Sequence, residues 1–282
     1  MNFLRGLQVY MNAKISSALY FAHIGKRPNY EDNLLINDLY LTSDEQKKMS
    51  DSCHCFSTED VLSKVHLFAV SDGMGGHNAG EVASRICIEK LALAYEELQQ
   101  LNSLKEVVNR LQTIIAEINN SVCDLSRKHD ELKGMGATLV LFVVYEKECA
   151  VLNIGDSRAY YFNNNSLIQI TKDHTEGQRM LELGLLTRKD ISDFVFRKNL
   201  IRYIGYDQDG YILRADEYYP TIEEGMILLC SDGISDLITN DHIQEILRSE
   251  SNVEIAGKRL ISEAVSAYAA DNATLILIPI MR

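Results

Sequence analysis

Three apolar runs of this chain abut an acidic residue. Residues 65–70 run into Ser71-Asp72-Gly73-Met74-Gly75-Gly76, residues 226–229 into Cys230-Ser231-Asp232-Gly233, and residues 274–280 follow Asp271-Asn272-Ala273. A further acidic pair, Glu31-Asp32, precedes the run that starts at Asn33. Apolar runs this short, bounded by turn residues, read as buried strands. A carboxylate held at the end of a buried strand costs free energy unless a cation or a hydrogen bond compensates it. Several such carboxylates from distant parts of one chain are most simply explained by convergence on hard divalent cations. Each motif alone is weak, because Asp-Gly is a common turn and Asp271 before Asn-Ala-Thr serves equally well as a turn or a cap. The combination carries the argument.

Along the chain, strands are expected at 17–24, 33–39 and 65–70, with a turn at Gly25-Lys26-Arg27-Pro28. Residues 40–63 are polar and irregular and read as an exposed insertion. Helical spacing covers 79–101 and 104–125. An antiparallel meander follows over 137–145, 148–154, 157–162 and 167–170. Helices are expected at 174–186 and 188–193, strands at 211–219 and 226–230, helices at 241–248 and 253–268, and a last strand at 274–280. Strands and helices come in blocks, which favours α+β with antiparallel sheets over a doubly wound parallel sheet. The simplest packing is a central antiparallel β-sandwich flanked on both faces by helices. No linker or repeat divides the chain, so residues 1–282 read as one domain with its core at about 15–280.

The balance of 28 basic against 40 acidic residues, net −12, excludes the basic face that nucleic acid or an anionic membrane would need. No stretch reaches the roughly 18 apolar residues of a membrane span, and residues 1–22 lack the apolar core of a signal peptide. The six cysteines show no disulfide framework and no paired Cys-x-x-Cys. Cys53-His54-Cys55 lacks the other half of a zinc site and reads as a solvated loop. A reducing, cytoplasmic compartment fits this usage.

The motifs, in order, resemble those of the metal-dependent protein serine/threonine phosphatases of type 2C, in their short bacterial form. The resemblance spans about 15–280. Arg27-Pro28-Asn29-Tyr30-Glu31-Asp32 resembles the family's first motif, with Tyr30 where asparagine is usual. Asp72-Gly73-Met74-Gly75-Gly76-His77 resembles the second, Gly134-Met135-Gly136-Ala137-Thr138 and Gly155-Asp156-Ser157-Arg158 the middle ones, and Asp232 and Asp271 the last two. The resemblance implies that Arg27 binds the substrate phosphate, and that Asp72 and the Gly73 carbonyl, with Asp232 and Asp271, ligate two Mn²⁺ or Mg²⁺ ions. Glu31 and Asp32 would act partly through metal-bound waters. Two such ions lower the pKa of a shared water and neutralise phosphoryl charge, so no protein nucleophile is required. Consistent with that, the chain has no Gly-x-Ser-x-Gly elbow, no Cys-x5-Arg loop and no Walker-type loop.

Met74 cannot serve as the general acid that relatives with histidine at this position are proposed to use, and His77 is the nearest alternative. Asp156 reads as the closure of a tight turn. Arg179 and Arg202, in the segment resembling the family's flap, are candidate substrate contacts. A third, weaker ion is implied in many relatives; Lys133 stands where its acidic ligand is usual, and Asp193 is the remaining candidate. The expected substrates are phosphorylated proteins, with a serine/threonine kinase as the opposing partner. The alternatives are a catalytically weak phosphoprotein-binding scaffold and a hydrolase of small phosphoesters.

Overall fold

Val, Ile, Leu and Phe crowd the strands Val65–Ser71, Leu139–Tyr145, Glu148–Ile154, Gly225–Cys230 and Ala273–Met281. Such side chains pack well on pleated, half-buried surfaces, and here they build two antiparallel sheets. The computed structural model describes residues 14–281 apart from 16, 51–53, 60–62, 76–78, 164–165, 188, 209 and 268–269. Cys53 and His77 therefore lie outside the described residues. The first sheet runs Ser166–Gln169, Arg158–Asn163, Gly225–Cys230, Ala273–Met281, Ser17–His23, His54–Glu59, with Lys14–Ile15 also on Ala273–Met281. The second runs Asp216–Tyr218, Glu148–Ile154, Leu139–Tyr145, Val65–Ser71, Asn33–Ile36, Leu39–Tyr40. The inner faces meet in a dry core in which Leu229, Ile276 and Ile278 of one sheet join Val70, Val140 and Phe142 of the other.

Helices cover both outer faces, as the block pattern predicts. Leu104–Lys128 begins at Ser103, whose hydroxyl accepts from the Glu106 amide, and buries Val107, Leu111, Ile114, Ile118 and Val122 at three- and four-residue spacing. With Ala79–Leu93 it lies on the second sheet. Asn240–Ser249 and Val253–Ser266 lie on the first. Among the described residues no helix is long and apolar enough to cross a membrane.

The structure corrects several local expectations. Residues 33–39 form not one strand but a hairpin, Asn33–Ile36 with Leu39–Tyr40, turned through Asn37 at φ 58°. Asn tolerates that left-handed conformation better than most residues. The described residues within 40–63 include regular structure. Thr42 opens a capping box on the helix Ser43–Lys47, and His54–Glu59 adds an edge strand, with Ala22 opposite His54. An edge strand is held by its backbone ladder and needs no apolar run to announce it. The 211–219 strand shrinks to Asp216–Tyr218, the 174–186 helix to Glu176–Glu182, and 188–193 leaves a single turn of 3₁₀ helix, Ile191–Asp193.

The register places the acids. Asn33 pairs with Ser71, so Asp32, one residue before its strand, sits beside Asp72, one residue after its own. Cys230 pairs with Leu275, bringing Asp232 and Asp271 together, and Ala273 pairs with His23, bringing the Arg27 loop alongside. Leu139 opposite Ile154 adds Asp156. Because neighbours are antiparallel, one strand's end lies next to another's start, and all of these groups gather at one edge of the sandwich.

Candidate functional site

The backbone that carries Asp72 is held at both peptide groups. Its N–H donates to Thr138 Oγ1 (3.0 Å) and its carbonyl accepts from the Thr138 amide (2.8 Å). Thr138 Oγ1 is in turn 2.6 Å from Ser157 Oγ. After Asp72 the chain passes so close to the start of the Ala79–Leu93 helix that a Cβ on Gly73 would lie 2.1 Å from the Gly80 carbonyl oxygen. Only glycine fits there. The Asp232 loop has the same feature, since a Cβ on Gly233 would lie 1.9 Å from the Asn272 carbonyl oxygen.

Asn272 fastens the two motifs together. Its Oδ1 accepts from the Glu31 amide (2.6 Å), and its Nδ2 donates to the carbonyls of Ile24 (2.8 Å) and Asn29 (3.1 Å). Asp32 is buried, and its Oδ2 accepts from Ser231 Oγ (2.9 Å) and Thr274 Oγ1 (2.5 Å). Thr274 Oγ1 also meets the hydroxyl of the buried Tyr30 at 2.5 Å. The tyrosine that departs from the family motif thus closes a Tyr30–Thr274–Asp32 chain behind the acids. Removing the middle hydroxyl by Thr274→Val strands a buried phenol and leaves Asp32 Oδ2 with Ser231 as its remaining hydroxyl donor. We expect a loss of about 1–3 kcal/mol, read as a lower denaturation midpoint at unchanged denaturant slope. An unchanged midpoint would show that the chain of hydroxyls is not supporting Asp32.

A cleft of about 640 Å³ opens here, lined by Arg27, Glu31, Asp72, Gly73, Asp156, Asp232 and Asp271, among others; the buried Asp32, an expected ligand, is not part of its lining. Burial pushes the Asp72 carboxyl well above the carboxylate range, with the charges of Asp32, Asp232 and Asp271 adding to it. Asp32 is pushed up to about 7 by burial, although the Thr274 and Ser231 hydroxyls oppose the shift. Asp232 rises to about 6 through burial and then Asp236, and Asp156 to about 8 through burial and then Asp232. Glu31 is raised by burial against the pull of Arg27. The cluster therefore holds more negative charge than its surroundings compensate.

Arg27 meets part of that need. One guanidinium nitrogen donates to Asp271 Oδ2 at 2.6 Å and another lies 3.9 Å from Glu31 Oε2, with the side chain 44% exposed. Among the described residues no three His, Cys, Asp or Glu side chains already stand in a closed ligating arrangement, and Asp271 spends Oδ2 on Arg27. The donor set nonetheless fits hard cations. Its side-chain ligands are carboxylates, and Asp232 Oδ1 is buried with no hydrogen-bond partner, an acceptor without a donor.

Other expected residues lie elsewhere. Arg202 bonds to His174 and Asp216, and His174 Nδ1 accepts from the Gly155 amide (2.9 Å). Arg202 thus braces the loop before Asp156 and is not among the residues lining the cleft. Arg179 is exposed, 3.8 Å from Glu176. Asp193 is exposed on its turn and does not line the cleft. Asp156, expected only to close a turn, lines the cleft. Sequence reasoning missed Thr138, Ser231, Asn272 and Lys198. The Asn272 signal was its place directly between Asp271 and a buried strand.

Residues 44–263 match the family described as Protein phosphatase 2C. The serine/threonine phosphatase stp of Listeria monocytogenes serotype 4b (strain F2365) is 32% identical over 212 residues, 75% of this chain and 83% of that one. The structure is similar to that of the serine/threonine phosphatase Stp1 from Staphylococcus aureus, with TM-score 0.78 and 27% identity, covering 99% of this chain and 100% of that one. It is also similar to the catalytic domain of the serine/threonine protein phosphatase PstP in complex with two manganese ions, with TM-score 0.70 and 26% identity over 95% of this chain and 100% of that one.

Proposed function

This chain belongs to the protein phosphatase 2C family and is a serine/threonine phosphatase of bacterial type, and on that premise we propose that it hydrolyses phosphoserine and phosphothreonine in proteins at a centre of two divalent cations, manganese or magnesium. The observation that carries the reading is the gathering of Asp32, Asp72, Asp232 and Asp271 at one end of the sandwich, where burial raises the carboxyls of Asp32, Asp72 and Asp232. When bound, the two ions supply a water acidic enough to attack at neutral pH and positive charge against the phosphoryl oxygens.

The chain does the rest. Asp72, with the Gly73 carbonyl, Asp232 and Asp271, would hold the ions. Asp32 and Glu31 would serve as further acceptors, kept in place by Ser231, Thr274 and Asn272. Arg27, half-exposed at the mouth, offers a planar fork suited to two phosphoryl oxygens. No side-chain nucleophile is called on. Cys87, Cys123, Cys149 and Cys230 are buried, and burial pushes each of these thiols up, which keeps them unreactive. The biological role is to reset proteins phosphorylated by a serine/threonine kinase.

The test is hydrolysis of a phosphothreonine peptide with and without Mn²⁺, beside a nucleotide and a small phosphoester. Metal-dependent turnover that favours the peptide supports the reading. Turnover of the small phosphoester alone overturns it. Within the same assay, Arg27→Ala is expected to raise KM about tenfold or more, a loss of about 1.4 kcal/mol or more in substrate binding. Unchanged peptide kinetics would remove Arg27 from the phosphate site.

A further inference from the structure

The third ion implied by the family resemblance does not fit this chain. Lys133 occupies the position of its usual acidic ligand, and Asp193 does not line the cleft. What the structure puts in the cleft, beside Asp236, is an ammonium group. Lys198 lines the cleft, and its Nζ is paired with Asp236 Oδ2. Asp236 follows the short helix Asp232–Ser235, so the pair sits one turn from Asp232. Burial acts to lower the Lys198 ammonium, and the hydrogen bond to Asp236 with the charges of Asp236 and Asp232 outweighs it and holds the group raised; the same two charges act on Asp156.

The lysine is carried there by a fixed backbone. The carbonyls of its two neighbours, Arg197 and Asn199, accept from the amides of Gly177 (3.1 Å) and Glu176 (2.9 Å) at the start of the Glu176–Glu182 helix. Leu200 forms a bridge with Thr175. Charge explains why a cation is needed. The described lining residues include five carboxylates, Glu31, Asp72, Asp156, Asp232 and Asp271, against Arg27 and Lys198, and Arg27 is engaged at the Asp271 end.

We propose that Lys198 is a tethered counter-cation that takes the place of a third divalent ion on the Asp232–Asp236 side of the cleft, so that this chain needs and binds only two. The inference rests on the two-cation reading above. A single charge that cannot diffuse away replaces an ion that would have to be recruited from solution, and the positive charge beside Asp236 does not depend on metal concentration.

The test counts bound Mn²⁺ per chain by equilibrium dialysis, with free Mn²⁺ read by electron paramagnetic resonance. The parent and Lys198→Arg are expected to bind two ions. Lys198→Met, whose side chain stands 58% exposed and so does not threaten the fold, is expected to bind three. The double variant Lys198→Met with Asp236→Asn is expected to return to two. Three ions on the parent, two on Lys198→Met at unchanged affinity, or three on the double variant would each overturn the proposal. Fewer than two on the folded parent would instead overturn the two-cation reading, and this inference with it.

Discussion

Asp72→Asn is expected to abolish turnover of a phosphothreonine peptide while leaving the protein folded. The loss should reach about a thousandfold or more, since charge stabilisation by bound ions contributes several kcal/mol and each 1.4 kcal/mol is tenfold in rate. The fold should survive because the contacts that hold residue 72 belong to its peptide groups, through Thr138, and are untouched by the side chain. Stability without metal should even rise. Burial and the surrounding Asp32, Asp232 and Asp271 raise the Asp72 carboxyl well above its ordinary range, so its charged form is a cost to the folded state at neutral pH. A neutral amide of the same shape removes that cost. Turnover within about tenfold of the parent would take Asp72 out of the site. A lower melting temperature in EDTA would mean that the carboxylate holds the structure together and that its loss of activity says nothing about metal.

The same balance explains what could be read from the sequence. The strands Leu139–Tyr145 and Ala273–Met281 were legible because continuous apolar runs of that length have few other uses. The acids were legible because they interrupt such runs at a cost that calls for compensation. Their supports were not. Thr138, Ser231 and Thr274 are ordinary strand-end residues with many local uses, and their roles appear only once Asn33 is opposite Ser71 and Cys230 opposite Leu275. Those pairings join residues far apart in sequence and leave no short-range trace. Tyr30 was visible only as a departure from a motif, and its buried hydroxyl contact with Thr274 gives the departure a reason. Lys198 lies in a charged, irregular stretch where a lysine is unremarkable until the backbone carries it to Asp236.

The metal-free protein is expected to become less stable as pH rises from 5 to 8, and Mn²⁺ to reverse the trend. In the fold, Asp232, Asp32 and Asp156 take up protons near pH 6, 7 and 8, against about 4 for the unfolded chain. Between these limits the folded state holds more protons than the unfolded state, so the stability of unfolding falls with increasing pH. The full benefit is present below about pH 4 and is gone once pH has passed through the folded values. Bound divalent ions require the same carboxylates deprotonated, so their stabilisation grows over that window. At a hundredfold excess over Kd the gain is about 2.7 kcal/mol, or roughly 5–10 °C in Tm. Surface ion pairs elsewhere in the molecule add their own pH dependence, and Asp72→Asn separates the two. Burial raises the Asp72 carboxyl well above its ordinary range, so it too holds a proton in the fold that the unfolded chain gives up; Asp72→Asn removes that contribution, and the variant's Tm in EDTA should fall less steeply between pH 5 and 8 than the parent's. Parallel slopes in parent and variant, or a Mn²⁺ shift no larger at pH 8 than at pH 5, would mean that these acids are already compensated by the protein and are not poised for metal.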